Sequence, residues 1–314
     1  KVEYYKTMIT DESRLLHPEG YGLPCCFNMS KLIKKGEDVT GETQKTQTNY
    51  ISKADPVEVN KYAHIHPQLK EFFKQENETL TKKTSKGFLR KGVPQNKALH
   101  NYQISSFLES YRVLSGFKGS TSDFIDSIQE AFETNLRLFQ RCPFFIHSQF
   151  RKSDNHNYEY ITKILEKKET RKLFQKDCID KLLIQIRRKE FDFHKNEMVY
   201  LLNLISTLEN YCNYLRSDED RNHEYILPVL SVINDKLNII LFENNDGNIT
   251  IKETDYNSSS QYAFMYKRKH YYEPMFYRYY EKSRMKELVS FNVSTLQNNH
   301  LEKLVKKIQT FVDS

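Results

Sequence analysis

Residues 237–252 read LNIILFENNDGNITIK, and this stretch decides the class of fold. Its first six residues form an apolar run interrupted only by Asn238, with two β-branched isoleucines, and they predict a buried strand. Asn244-Asn245-Asp246-Gly247-Asn248 supplies turn chemistry, because glycine accepts the positive φ that a tight hairpin needs. Residues 248–252 alternate and return as the second strand. Residues 262–267 and 271–279 read as two more strands, so that from about residue 224 the period is two. A last helix over roughly 297–312 would carry Leu301, Leu304, Val305, Ile308 and Phe311 on one face.

Upstream, from 96 to 216, the period is helical. Phe124, Ile125, Ile128, Phe132, Leu136 and Phe139 fall on one stripe, and Met198, Leu201, Leu202, Ile205, Leu208, Cys212 and Leu215 on another. Ser122 is the expected N-cap of the first stripe, with Asp123 and Asp126 in the turn where the helix dipole favours negative charge. Residues 157–168 and 171–188 read as helices between them, and a short helix is expected around 67–74. The polar stretches 37–56 and 75–86 read as linkers. The fold class expected is α+β: a helical middle region followed by a mostly antiparallel sheet closed by a C-terminal helix. The expected divisions are 1–56, a cysteine-containing segment and linker; 57–222, mainly helical; and 223–314, sheet plus helix.

Lys and Arg number 48 against 41 Asp and Glu, a formal net charge of +7, and 13% of residues are aromatic. A basic surplus with many tyrosines suits a surface that meets polyanions; the codon usage of an AT-rich genome accounts for the same composition. Only nine glycines are present, which argues against a scaffold of tight phosphate loops. Five cysteines at irregular spacing imply no disulfide framework and point to a reducing compartment. No apolar run approaches a membrane span. The chain begins with Lys1, and it is read as a piece of a longer protein.

The most distinctive string is His17-Pro18-Glu19-Gly20-Tyr21-Gly22-Leu23-Pro24-Cys25-Cys26-Phe27. Thiolates and imidazole bind Zn²⁺, so Cys25, Cys26 and His17 are the candidate metal ligands, an incomplete set for a tetrahedral site. A small buried apolar turn without metal fits the same residues. The string resembles the signature of the large subunit of the viral early transcription factor of poxviruses and related large cytoplasmic DNA viruses. There the stretch reads Y-C-x-P-C-C-F; Tyr21, Pro24, Cys25, Cys26 and Phe27 match, and Gly22 stands where the family has its first cysteine. Leu89-Arg90-Lys91-Gly92-Val93-Pro94-Gln95 with Ser106-Phe107-Leu108, and residues 237–243 with Tyr271-Tyr272-Glu273-Pro274-Met275, are similar to the same relatives. The resemblance implies a non-enzymatic subunit in the host cytoplasm (the viral factory) and the virion. Such a subunit binds promoter double-stranded DNA with a smaller, ATP-hydrolysing partner and recruits the viral RNA polymerase. It also implies a TATA-binding-protein-like fold in the C-terminal region.

Two segments are candidate nucleic-acid contacts. One interleaves aromatic and basic residues, Tyr266, Lys267, Arg268, Lys269, His270 and Tyr271, as a platform where bases stack and cations meet phosphate. An ordinary strand pair, aromatics inside and charges outside, has the same pattern. The other is the basic, loop-like cluster Lys82, Lys83, Lys86, Arg90 and Lys91. No phosphate loop, dinucleotide fingerprint, zinc-protease helix or nucleophile elbow is present. His64 and His66 form a weak metal pair. Glu243, Asp246, Glu253 and Asp255 around Lys252 would suit a degenerate nuclease. A non-catalytic structural or interaction module of a virion or polymerase complex is the remaining alternative.

Overall fold

In the computed structural model the described residues are 51–52, 56–75, 86–94, 105–151, 156–190, 196–217, 223–252, 261–282 and 284–292. The chain divides into two compact units, 1–49 and 50–314, and all described residues belong to the second. Strands β1 (Ile51–Ser52) and β2 (Tyr62–His64), helix α1 (Pro67–Phe72) and strand β3 (Gly87–Lys91) come first. Helices α2 (Ser106–Leu114), α3 (Thr121–Thr134), α4 (Leu136–Gln140), α5 (Phe144–Phe150) and α6 (Tyr158–Glu166) follow. Then come α7 (Lys168–Leu173), α8 (Lys176–Arg188), α9 (Asn196–Arg216) and α10 (His223–Ile233). Strands β4 (Leu237–Asn245), β5 (Asn248–Lys252), β6 (Gln261–Arg268), β7 (Tyr271–Glu281), β8 (Arg284–Leu288) and β9 (Phe291–Asn292) complete the described chain.

The strands join one mixed, mostly antiparallel sheet in the order β1-β2-β3-β7-β6-β4-β5, with β8 on β7 and β9 on β6. The fold is therefore α+β. The expected C-terminal helix, with Leu301 and Phe311, lies outside the described residues. Residue 222 is not a boundary between compact units: β3, laid down before the helices, pairs with β7, laid down after them, with Gly87 opposite Arg278 and Arg90 opposite Met275. Strand direction also departs from simple meandering. β4 and β5 form the expected hairpin, but β6 lies on the other side of β4 and runs parallel to it over eight residue pairs, Leu237 opposite Gln261 through Asn244 opposite Arg268.

Burial explains that pairing. Residues 262–266 of β6 are all buried, as are 237–244 of β4. Ile239, Leu241, Ala263 and Met265 pack into the helical core, with Leu201, Ile205 and Leu230. Ile240, Phe242, Phe264 and Tyr266 pack on the opposite face against Leu69 and Phe73 from the α1 region and Phe88 of β3. Strands apolar on both faces belong in the middle of a covered sheet, where parallel neighbours are common.

Local signals set the element ends. Ser120, rather than Ser122, caps α3: its hydroxyl accepts from the Asp123 backbone N–H and the Asp123 carboxylate accepts from the Ser120 N–H, a reciprocal capping box. Asn135, at φ −138°, breaks the first apolar stripe and its side chain caps α4. The stretch from 224, expected to have period two, is helical as far as Ile233 despite Pro228, burying Ile226, Leu227, Val229 and Leu230. That spacing suits a helix face as well as it suits a short apolar strand. The β4–β5 turn places Asp246 at φ 51° and Gly247 at φ 97°, the two positive φ values of a type I′ hairpin. Among the described residues no helix is long and apolar enough to cross a membrane.

Gly92 ends β3 where the strand meets the preceding chain. Its N–H donates to Lys61 O at 2.9 Å and its carbonyl accepts from Asn60 N at 2.9 Å. A Cβ there would lie 2.1 Å from Glu58 O and 2.4 Å from Val57 O, both backbone atoms that cannot yield locally. Gly92→Ala is expected to destabilise the protein by about 1–3 kcal/mol through forced overpacking, read as a lower urea midpoint.

Candidate nucleic-acid interface

Arg90 is 7% exposed and lies inside the protein. Its Nη1 is 2.8 Å from Glu273 Oε2, its Nε donates to His64 O at 3.0 Å, and its guanidinium lies 4.6 Å from the centre of the Tyr266 ring. Glu273, 1% exposed, uses its other oxygen to accept from Val57 N at 2.7 Å. Tyr266 is buried too, its hydroxyl accepting from Asn244 Nδ2 at 2.6 Å. The Tyr271 hydroxyl donates to Val93 O at 2.7 Å and accepts from Val93 N at 3.2 Å. Arg90, Tyr266, Tyr271 and Glu273 thus form an internal brace that ties residues 57 and 93 to β7. A buried guanidinium demands such partners, because an unpaired charge inside a protein is strongly destabilising. The spacing of Arg90 and Tyr266 suited a surface platform; Glu273, far away in sequence, turns them inward.

Lys267 and Lys91 are also engaged. Lys267 Nζ bonds Glu243 Oε1, while Lys252 Nζ lies 3.2 Å from Glu243 Oε2. Burial opposes ionisation of Glu243, but these hydrogen bonds win and hold its carboxyl below the ordinary range. Of the residues considered for a nuclease, Glu243 is therefore matched by two lysines, Asp246 sits in the exposed hairpin turn, and Glu253 and Asp255 lie outside the described residues. Half-buried Lys91 holds its ammonium 5.7 Å from the Tyr62 ring centre and 5.6 Å from that of Phe276. Arg278 lies 4.2 Å from the Tyr62 ring on the same face and bonds Glu287 at 2.7 Å.

His223, at the first position of α10, faces this cluster. Its Nδ1 is 2.8 Å from the Tyr272 hydroxyl and it is 5% exposed. Burial first, then the positive charge of Lys267, pull its pKa down to about 4; Glu224 and Glu243 oppose this and Lys252 adds to it. His66 has a structural role: its Nδ1 accepts from Gln68 N at the start of α1. His64 is half-buried on β2.

What stays exposed is the β6–β7 turn and the far end of the sheet. Arg268, Lys269 and His270 are consecutive and exposed, with Lys269 at φ 54°. Lys86 is exposed just ahead of β3. Lys82 and Lys83 lie outside the described residues, as do Cys25, Cys26 and His17. The reading of the sequence missed β8, which adds exposed Arg284 and Lys286 beside β7. Its turn places Lys282 at φ 48°, with neither Gly nor Asn there to mark it; the alternation of Met285 and Leu288 was the only available signal. No family model matches the chain, and neither a curated protein nor a solved structure matches it.

Two tests separate internal from surface roles. Arg90→Met, which strands Glu273 without its partner, is expected to cost about 3–5 kcal/mol in a denaturant titration, with the ionic-strength dependence of any DNA binding unchanged. His223 has a folded pKa below its ordinary value of 6.5, so the folded state holds it neutral while the unfolded chain takes up the proton. Its contribution is therefore complete above pH 6.5 and is lost as pH falls towards 4. His223→Gln should flatten the thermal-midpoint profile across that window.

Proposed function

We propose that this chain is a non-catalytic DNA-binding segment of an early transcription factor of the large-subunit type. In this reading it contacts promoter duplex and, with an ATPase small subunit, helps recruit a viral RNA polymerase. The supporting observation is the β6–β7 turn, where Arg268, Lys269 and His270 project together into solvent while the neighbouring aromatics, Tyr266 and Tyr272, are buried. Cations without an aromatic surface suit phosphate oxygens rather than bases, and phosphate contacts set position and affinity on a duplex. The motif around Cys25 and Cys26 and the segments at 89–95 and 271–275 support the family reading; Zn²⁺ held by Cys25, Cys26 and His17 belongs to the same proposal.

A second reading, a protein-docking module, draws on one feature of the helical layer. Phe144 is 83% exposed and Phe145 45% exposed, side by side at the start of α5, an arrangement that suits an anchor in a partner's pocket.

Binding of an AT-rich duplex across a salt series separates the two. The duplex reading expects log affinity to fall linearly with log salt, and Ala at Arg268 and Lys269 to reduce the slope by about one per lost phosphate contact. Absence of duplex binding at low salt would overturn it. Loss of partner capture in Phe144→Ser, with duplex binding absent, would favour the docking module.

A further inference from the structure

The cations at the other end of β7 stand beside an aromatic surface, and this gives that end a different chemistry. The pairing of β7 with β8 sets Tyr277 opposite Leu288, Tyr279 opposite Lys286 and Glu281 opposite Arg284. Residues paired across a ladder share a face, so these six lie on one side of the ribbon. On the other edge of β7, Gly87 lies opposite Arg278; continuing that register by one residue sets Lys86 opposite Tyr279. The result is a row, Lys86–Tyr279–Lys286, across three adjacent segments. Lys86, Arg284 and Lys286 are exposed, and none of them carries an ion pair among the described residues. Glu281 is the single carboxylate in the paired set.

Tyr277 and Tyr279 lie near-parallel, at 28°, with ring centres 6.3 Å apart. Tyr277 is anchored: its ring meets Phe88 at 5.1 Å and Phe291 at 6.4 Å, at the rim of the core under α1. Tyr279 is the next residue outward on the same face and is half-exposed. A fixed aromatic ring flanked by two solvated ammonium groups is the arrangement that holds an unpaired base by stacking while neutralising the phosphates on either side. Duplex bases are already stacked on their neighbours and cannot use it.

We infer that the Lys86–Tyr279–Lys286 row, with Arg284, is a binding site for single-stranded nucleic acid, in which an unpaired base stacks on Tyr279. The inference rests on the reading that the partner of this chain is nucleic acid. It adds a second site, eight residues along β7 from Tyr271 and so about 26 Å from the β6–β7 turn at roughly 3.3 Å per residue. A protein with a phosphate-binding turn at one end of a strand and a base-stacking row at the other can hold a duplex and an adjoining unpaired stretch together.

The test is fluorescence anisotropy of the 314-residue chain with labelled oligo(dT), oligo(U) and an AT-rich duplex, on variants checked for folding by circular dichroism. Tyr279→Ala is expected to weaken single-strand binding about five- to a hundredfold and leave duplex binding unchanged. Tyr279→Phe, which keeps the ring, should restore it, and the Lys86→Ala/Lys286→Ala pair should weaken it and lower its salt dependence. A preference between oligo(dT) and oligo(U) identifies the natural strand as DNA or RNA. Single-strand binding that is absent or indifferent to Tyr279→Ala overturns the inference, even where duplex binding persists. A Tyr279→Ala loss shared equally by the duplex overturns it too. Absence of duplex binding with a Tyr279-dependent single-strand signal overturns the duplex reading alone and leaves this site standing.

Discussion

The parallel pair β4–β6 is the constraint on which the rest of the structure depends. Both strands are apolar on both faces, so each face needs a covering layer. The helices supply one, through residues such as Leu201 and Leu230, and the α1 region with Phe88 supplies the other. Once both faces are covered, every polar atom in the middle of the sheet must find its partner inside. Asn244 bonds the Tyr266 hydroxyl, Tyr272 bonds His223, and Arg90 is matched to Glu273. The chain meets this requirement with groups drawn from opposite ends of its sequence, which is why β3 and the segment around Val57 are bound so firmly to β7.

The same constraint sorts the charges. Arg90, Lys267 and Arg278 project from the sheet where it is covered, and each is met by a glutamate, Glu273, Glu243 and Glu287 respectively. Cations beyond the covered region, at the β6–β7 turn and along β8, stay in solvent. The basic surplus of the composition is thus concentrated at the two ends of one strand, with different chemistry at each: phosphate-facing cations at one, and cations around a tyrosine at the other. The distinction comes from burial. Near the turn the aromatics are consumed by the core; past Tyr277 the core has ended and the next ring, Tyr279, is released to the surface.

Legibility followed the range of the interaction. The β4–β5 hairpin was visible because Asp246 and Gly247 are the residues a two-residue turn with positive φ demands, and the long stripe of α9 because its period is a local property. The helix at 223–233 was hidden by an apolar run that serves either period and by Pro228. β8 was hidden because its turn uses Lys282 at positive φ. The parallel direction of β6 had no local mark, since alternation and apolar runs carry no record of which way a neighbour runs. In the candidate site, Lys86 and the turn residues 268–270 could be named from the sequence, whereas Tyr279 and Lys286 acquire their relationship only through the β7–β8 register.

By itself the sequence determined that the protein combines a helical layer with a sheet, where the first hairpin turns, and that it carries excess positive charge among tyrosines. These follow from short-range rules of turn geometry, periodicity and composition. Only the tertiary structure decided which of the cations face solvent. Arg90 and Lys86 stand four residues apart in one basic cluster, yet one is buried against Glu273 and the other is exposed. The physical reason is that a charge is placed by its partners and by the layer that covers it, and for Arg90 that partner lies 183 residues away along the chain.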